Sequence, residues 1–305
     1  MSILSIENLS KSFGAAKVID GISFEVAEKS IFGFIGKNGA GKTTTMKMIL
    51  GLLKSDGGCI EVCGEPVNYG QTKTNRFIGY LPDVPEFYNY MTPKEYLMLC
   101  GEITGLSASV CKKRCIDLIE LVGLEKANRK IGGFSRGMKQ RLGIAQALIN
   151  EPKLLICDEP TSALDPIGRK ELLDILERVK VNTTVLFSTH ILSDVERICD
   201  RIALLNNGKL ALCGTITELR EQHKQDGLFI EFESLVDLNA FLSKLGAFSW
   251  VNKTESNGTS LTIKVSDIKR AEKDVLNILS DHQLLPLKFE IMEPSIETLF
   301  MEAVQ

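Results

Sequence analysis

Residues 36–43 read Gly36-Lys37-Asn38-Gly39-Ala40-Gly41-Lys42-Thr43, which fits the pattern G-x-x-x-x-G-K-[ST]. They follow an apolar run, Ile31-Phe32-Gly33-Phe34-Ile35, and precede a segment of helical character from Thr44 to Leu50. With glycine near 7% of residues in average proteins, chance placement of the four fixed positions somewhere in the chain is on the order of one in a hundred. An apolar strand, a glycine loop and a helix in that order belong to an α/β fold built on a buried, largely parallel sheet. The glycines let backbone N–H groups turn toward a phosphate, and the following helix points its positive end there. Lys42 can reach β and γ phosphates and Thr43 can ligate Mg²⁺, whereas a plain strand-to-helix turn needs neither. The loop from Gly36 to Thr43, with Thr44 beside it, is therefore the expected phosphate-binding segment.

Leu154-Leu155-Ile156-Cys157-Asp158-Glu159 is a second apolar strand, and it ends in two carboxylates. In a parallel sheet those acids lie at the C-terminal edge, beside the glycine loop. Adjacent acids repel each other unless a cation is near. Asp158 can hold Mg²⁺ through its water shell, and Glu159 stands one residue further on, where it can polarise an attacking water. Another buried strand is expected over Thr183–Ser188. Between the two lies a helix that Asp165 caps and Pro166 opens.

At 305 residues the chain exceeds one ordinary domain, so a large unit and a smaller one are expected, over 1–214 and 228–305 with a linker at 215–227. In the first, Ile3–Leu9 and Gly21–Val26 read as short strands, residues 85–134 as a helical insert, and Asn206-Asn207-Gly208 as a tight hairpin turn. In the second, strand 228–232, helix 235–245, strands 248–253 and 260–265, helix 267–279 and strand 285–291 follow in the order β-α-β-β-α-β. That order is ferredoxin-like, with 295–304 as a closing helix. The fold class is α/β: a P-loop core with a mixed sheet, an antiparallel β subdomain and a helical insert, followed by a small α+β domain.

Composition narrows the function classes. No apolar run approaches the roughly 18 residues a membrane span requires, and the N-terminus lacks a basic region followed by an apolar block. Residues 215–305 carry a net charge of −6 and residues 1–214 carry +3. Neither part shows the Lys/Arg stripe that rewards nucleic-acid binding, so no nucleic-acid partner is expected. Eight cysteines without an export signal are expected to be free thiols, and the Cys59/Cys63 and Cys111/Cys115 spacings do not match zinc sites.

Phe134-Ser135-Arg136-Gly137-Met138-Lys139-Gln140-Arg141 opens an amphipathic helix with Ser135 as its natural N-cap. Together with the glycine loop and the two acids, in this order, the segment resembles the nucleotide-binding subunit of ATP-binding-cassette (ABC) transporters. The resemblance covers residues 1 to about 214. It implies ATP and Mg²⁺ as ligands, Phe13 stacked on adenine, and Ser135 and Gly137 reaching the γ-phosphate of the opposite subunit. It further implies Asp165 in the loop that crosses the dimer, and His190 as the switch histidine on the γ-phosphate. Asp83 stands where the family places a Gln that touches Mg²⁺, and Arg136 and Met138 replace the usual Gly and Gln of the signature. These variants are similar to those of export-type members, as is the C-terminal extension through Met292-Glu293-Pro294-Ser295-Ile296-Glu297.

The expectation is an ATP-hydrolysing subunit at the cytoplasmic face of a membrane. It works as a homodimer, or paired with a second ABC ATPase, under a separate integral permease that it drives, with Glu159 and His190 as the catalytic pair. Translation-type ABC ATPases carry two cassettes, and this chain has one glycine-rich loop. Chromosome-type members insert a long coiled coil between loop and signature, and here that interval is short. A regulatory nucleotide-binding protein is the remaining alternative.

Overall fold

The computed structural model describes residues 2–304 except 72, 128, 223–226, 247 and 293–295. Two of the expected segments are touched by these gaps: linker residues 223–226, and Glu293 to Ser295 of the C-terminal extension, lie outside the described residues. The chain forms two compact units, Met1–Ile216 with Ala303–Gln305, and Thr217–Glu302.

In the first unit, two long strands, β1 (Ser2–Phe13) and β2 (Ala16–Ala27), pair antiparallel. Then come β3 (Ile31–Ile35), α1 (Lys42–Ile49), β4 (Gly57–Val62), β5 (Glu65–Pro66) and β6 (Ile78–Leu81). The insert supplies α2 (Pro93–Ile103) and α3 (Ala108–Leu121), and α4 (Arg136–Ala147) follows. The unit continues through β7 (Leu154–Asp158), α5 (Pro166–Lys180), β8 (Thr184–Thr189), α6 (Leu192–Ile198), β9 (Arg201–Asn206) and β10 (Lys209–Thr215), and α7 (Ile216–Gln222) starts at its boundary and belongs from Thr217 onward to the second unit.

The strands make two sheets. One is antiparallel, in the order β2-β1-β4-β5. The other runs β10-β9-β3-β8-β7-β6, parallel throughout except for the β9–β10 hairpin. Asn207 and Gly208, both at positive φ, turn that hairpin. Every residue of β3, β7 and β8 is buried, which is why these strands read as continuous apolar runs rather than as alternating ones. The antiparallel sheet packs on β3 through Phe24, whose ring stacks on Phe32 and Phe34 at 5.2 and 5.4 Å. Met46, Met48 and Ile49 of α1 join the same core. The core thus seats both ends of the glycine loop, β3 before it and α1 after it, on rigid elements.

Local chemistry sets the helix starts. Thr92 and Glu95 form a reciprocal capping box ahead of Pro93, while Ser135 and Asp165 cap α4 and α5. Helix α1 begins at Lys42 rather than Thr44, because Gly41 at φ 110° takes the turn that no other residue adopts readily.

The second unit holds β11 (Gly227–Phe232), α8 (Leu235–Leu245), β12 (Val251–Asn257), β13 (Ser260–Val265), α9 (Ile268–Asp281) and β14 (Pro286–Met292), followed by α10 (Ile296–Val304). Its antiparallel sheet runs β12-β13-β11-β14, the ferredoxin-like arrangement with both helices supplying the core. One boundary differs from the sequence reading: β12 covers Val251–Asn257, not 248–253. Phe248 and Trp250 pack on the core ahead of the strand, their rings tilted at 35° with centres 5.2 Å apart, and the strand itself is a mostly exposed hairpin arm without an apolar signal.

Phe241 is fully buried against Phe232, 5.4 Å between ring centres. Phe241→Ala is expected to cost this unit about 3–5 kcal/mol in urea unfolding of the full chain, read from the transition of Trp250 fluorescence.

Candidate functional site

The C-terminal ends of parallel strands put the functional side chains at one edge of the sheet. The glycine loop leaves β3, and Asp158 and Glu159 end β7. Asp158 pairs in register with Ser188 of β8, which lies between the two. The loop must be glycine at its tightest point: a Cβ on Gly41 would come within 2.5 Å of Ile19 Cδ1 and 3.1 Å of the Val18 carbonyl. Gly39, at φ 82°, leaves the backbone open on the other side.

Lys42 is almost completely buried. Its ammonium donates to the carbonyls of Gly36 at 2.7 Å and Lys37 at 3.3 Å, and lies 2.9 Å from Glu159 Oε1 as an ion pair. Thr43 Oγ1 donates to Asp158 Oδ2 at 2.8 Å, and Ser188 Oγ donates to Asp158 Oδ1 at 2.7 Å. The Glu159 amide donates in turn to Ser188 Oγ at 3.0 Å. Glu159 sits at φ 47°, left-handed for a residue with a Cβ, so the turn aims its carboxylate back across the sheet edge. There Oε2 lies 2.8 Å from His190 Nδ1.

Asn38, Gly39, Gly41, Lys42, Thr43, Thr44, Asp83, Asp158 and Glu159 line one open cleft of about 330 Å³. Gly36, Lys37 and Ala40 complete the loop around Lys42, the Ala40 amide bonding the Lys37 carbonyl at 3.1 Å. The hard oxygens of Thr43, Asp158 and Asp83 on one wall suit Mg²⁺, and the glycine backbone with Lys42 suits phosphate. Burial, with Asp158 nearby, raises the Tyr80 phenol to about 12, so that side chain stays neutral behind the acids.

His190 reaches this cleft only through Glu159, and Phe13, Ser135, Gly137 and Asp165 do not line it either. Phe13 is half exposed, with Lys11 Nζ 5.4 Å above its ring. Ser135 accepts from the Met138 amide at 3.2 Å, and Gly137 faces Leu164. Asp165 accepts from the Gly168 amide at 3.2 Å. The resemblance assigns Ser135, Gly137 and Asp165 to contacts across two subunits, which one chain does not contain. Ser188 was missed as a site residue, although a serine ending an apolar strand beside the acid-bearing one was a usable signal. Asp83 lies on the cleft wall, where its Oδ1 accepts from Ser162 Oγ at 3.0 Å and faces the Arg136 guanidinium at 3.6 Å.

Residues 19–162 match the family described as ABC transporter, and residues 214–304 match the C-terminal domain of DrrA1-3-like ATP-binding proteins. The linearmycin resistance ATP-binding protein LnrL of Bacillus subtilis is 35% identical, over 98% of this chain and 97% of its own length. The bacitracin transport ATP-binding protein BcrA of Bacillus licheniformis is also 35% identical, over 99% and 97%. A solved ATP-binding subunit of an ABC transporter aligns with a TM-score of 0.64 at 34% identity, covering 73% of this chain and 93% of that one.

Asp194 of α6, four residues past His190, is buried, with Arg169 Nε 3.9 Å away. Burial raises its carboxyl above the ordinary 3.8, and Thr161, Arg169, Arg197 and His190 only partly offset this. A raised folded-state pKa means that the native protein holds this proton more tightly than the unfolded chain. Stability therefore falls as pH rises through the window above 3.8, and the cost is fully present once the folded group is ionised. Asp194→Asn is expected to melt a few degrees above the parent at pH 7.5, with the gap closing as pH approaches 4. Thermal melts across that range check it; a gap independent of pH contradicts the assignment.

Proposed function

The chain belongs to the ATP-binding subunits of ABC transporters, which hydrolyse ATP to drive a membrane permease, and from that premise we propose that it binds Mg-ATP in the cleft at the sheet edge and hydrolyses it there. Two copies close head to tail over two nucleotides at the cytoplasmic face of a membrane. The observation that carries this reading is the 2.9 Å ion pair between Lys42 and Glu159 at the mouth of the glycine loop, beside the 2.8 Å Thr43–Asp158 hydrogen bond. A lysine, a hydroxyl and two carboxylates converging beside a glycine loop are parts that phosphoryl transfer to water requires.

In this reading the loop amides from Gly36 to Thr44 hold the phosphates, and Lys42 exchanges Glu159 for them. Thr43, Asp158 and Asp83 would hold Mg²⁺, which would neutralise charge on the phosphate oxygens. Glu159, released from Lys42, polarises water, and His190 orients the Glu159 carboxylate through their 2.8 Å contact and then meets the γ-phosphate. Phe13 stacks on adenine from its exposed position. Ser135, Gly137 and Asp165 complete the pocket of the second copy, which accounts for their standing outside the cleft of their own chain.

Among the described residues, no helix is long and apolar enough to cross a membrane. Transport work by this chain therefore goes through the permease. That the work is export is supported by the linearmycin-resistance and bacitracin-transport relatives, which match nearly end to end. The ferredoxin-like unit belongs to that shared architecture.

Glu159→Gln is expected to keep ATP, lose roughly 10²-fold or more of phosphate release and accumulate as a dimer in light scattering. Turnover at the parental rate contradicts its role as base. Lys42→Ala is expected to abolish binding of a fluorescent ATP analogue, and retained submicromolar binding contradicts the cradle.

A further inference from the structure

Three carboxylates, those of Asp83, Asp158 and Glu159, line the cleft, and Lys42 is the one cation among its lining residues. Lys42 is paired with Glu159, and Asp158 is held by the hydroxyls of Thr43 and Ser188. The counter-charge for Asp83 comes from outside the cleft. Arg136, the first residue of α4, places its guanidinium 3.6 Å from Asp83 Oδ1, and the same oxygen accepts from Ser162. The backbone of Asp83 is tied to the same helix: Gln140 Nε2, fully buried, donates to its carbonyl at 2.5 Å. Arg136 also lines a second groove with Val84, Phe87, Phe134 and Lys139, so one end of the Arg136–Asp83 pair lies in that groove and the other in the cleft.

We propose that Arg136 is a positioning residue that competes with the nucleotide-bound divalent cation for the Asp83 carboxylate. With Arg136 and Ser162 engaged, the charge of Asp83 is partly offset in a cleft that holds two other acids. A cation in the cleft would draw on the same carboxylate charge that Arg136 offsets through Oδ1, so each would weaken the hold of the other on Asp83. The opposition links the cleft to the N-terminus of α4, where Ser135 sits. Whatever takes Arg136 in the groove favours the cation-bound state; whatever presses Arg136 onto Asp83 opposes it. This inference rests on the nucleotide reading above and adds a regulator of the same site.

The test compares the affinity of the full chain for a fluorescent ADP analogue in Mg²⁺ and in EDTA, taking the ratio of the two. Arg136→Gln is expected to raise that ratio roughly two- to fivefold, the scale of a half-exposed ion pair. In the Asp83→Asn background the same substitution is expected to leave the ratio unchanged, because the carboxylate for which the two cations compete is gone. Arg136→Lys, which keeps the charge, is expected to stay near the parent. An equal rise in both backgrounds would show a general field effect and overturn the competition, as would no rise in either. If the parent binds no ADP under either condition, the nucleotide reading itself fails. If it binds and the ratio ignores Arg136, only this inference falls. Affinity in EDTA reports in each variant that the fold and the phosphate loop are intact.

Discussion

A hydrogen bond of 2.8 Å between Thr43 and Asp158 joins segments 115 residues apart, and the arrangement of the site depends on it. It exists because β3 and β7 flank β8 in one parallel sheet, so that the loop leaving β3 and the acids ending β7 emerge at the same edge. Ser188 at the end of β8 bridges the remaining gap by donating to Asp158 and receiving the Glu159 amide. Three strand ends are thus tied through one carboxylate. Backbone placement at such an edge is rigid, since each of these strands is buried on both faces.

The charges follow from that placement. Glu159 is left-handed, a conformation a glutamate adopts only when its surroundings over-determine it. The return is a carboxylate shared between a buried ammonium and an imidazole, the two partners it faces at 2.9 and 2.8 Å. A base that must be free to accept a proton from water is here occupied by Lys42, and phosphate is the natural competitor for that lysine. Binding of substrate and release of the base are then one electrostatic exchange.

Much of this was legible in the chain itself, and the parts that were not share physical causes. The loop, the acid pair, the caps Ser135 and Asp165 and the ferredoxin-like order are local patterns of residue type and spacing. Strand β6 was missed because it is four residues long and closed by Pro82, too short to show a period. Helix α6 has seven residues and starts after Ile191 without a side-chain cap, so no start signal marks it. Strand β12 was displaced because the apolar residues Phe248 and Trp250 feed the core before the pairing begins.

The sequence by itself determined which groups this protein has for holding phosphate and cation, and the fold class that presents them, because a glycine loop after a buried strand allows few alternatives. Only the tertiary structure decided how those groups are paired at the site: Lys42 with Glu159, Thr43 and Ser188 with Asp158, and Arg136 and Ser162 with Asp83. Pairing of this kind joins residues far apart in the chain, and it is set by which strand lies beside which, something no local propensity encodes.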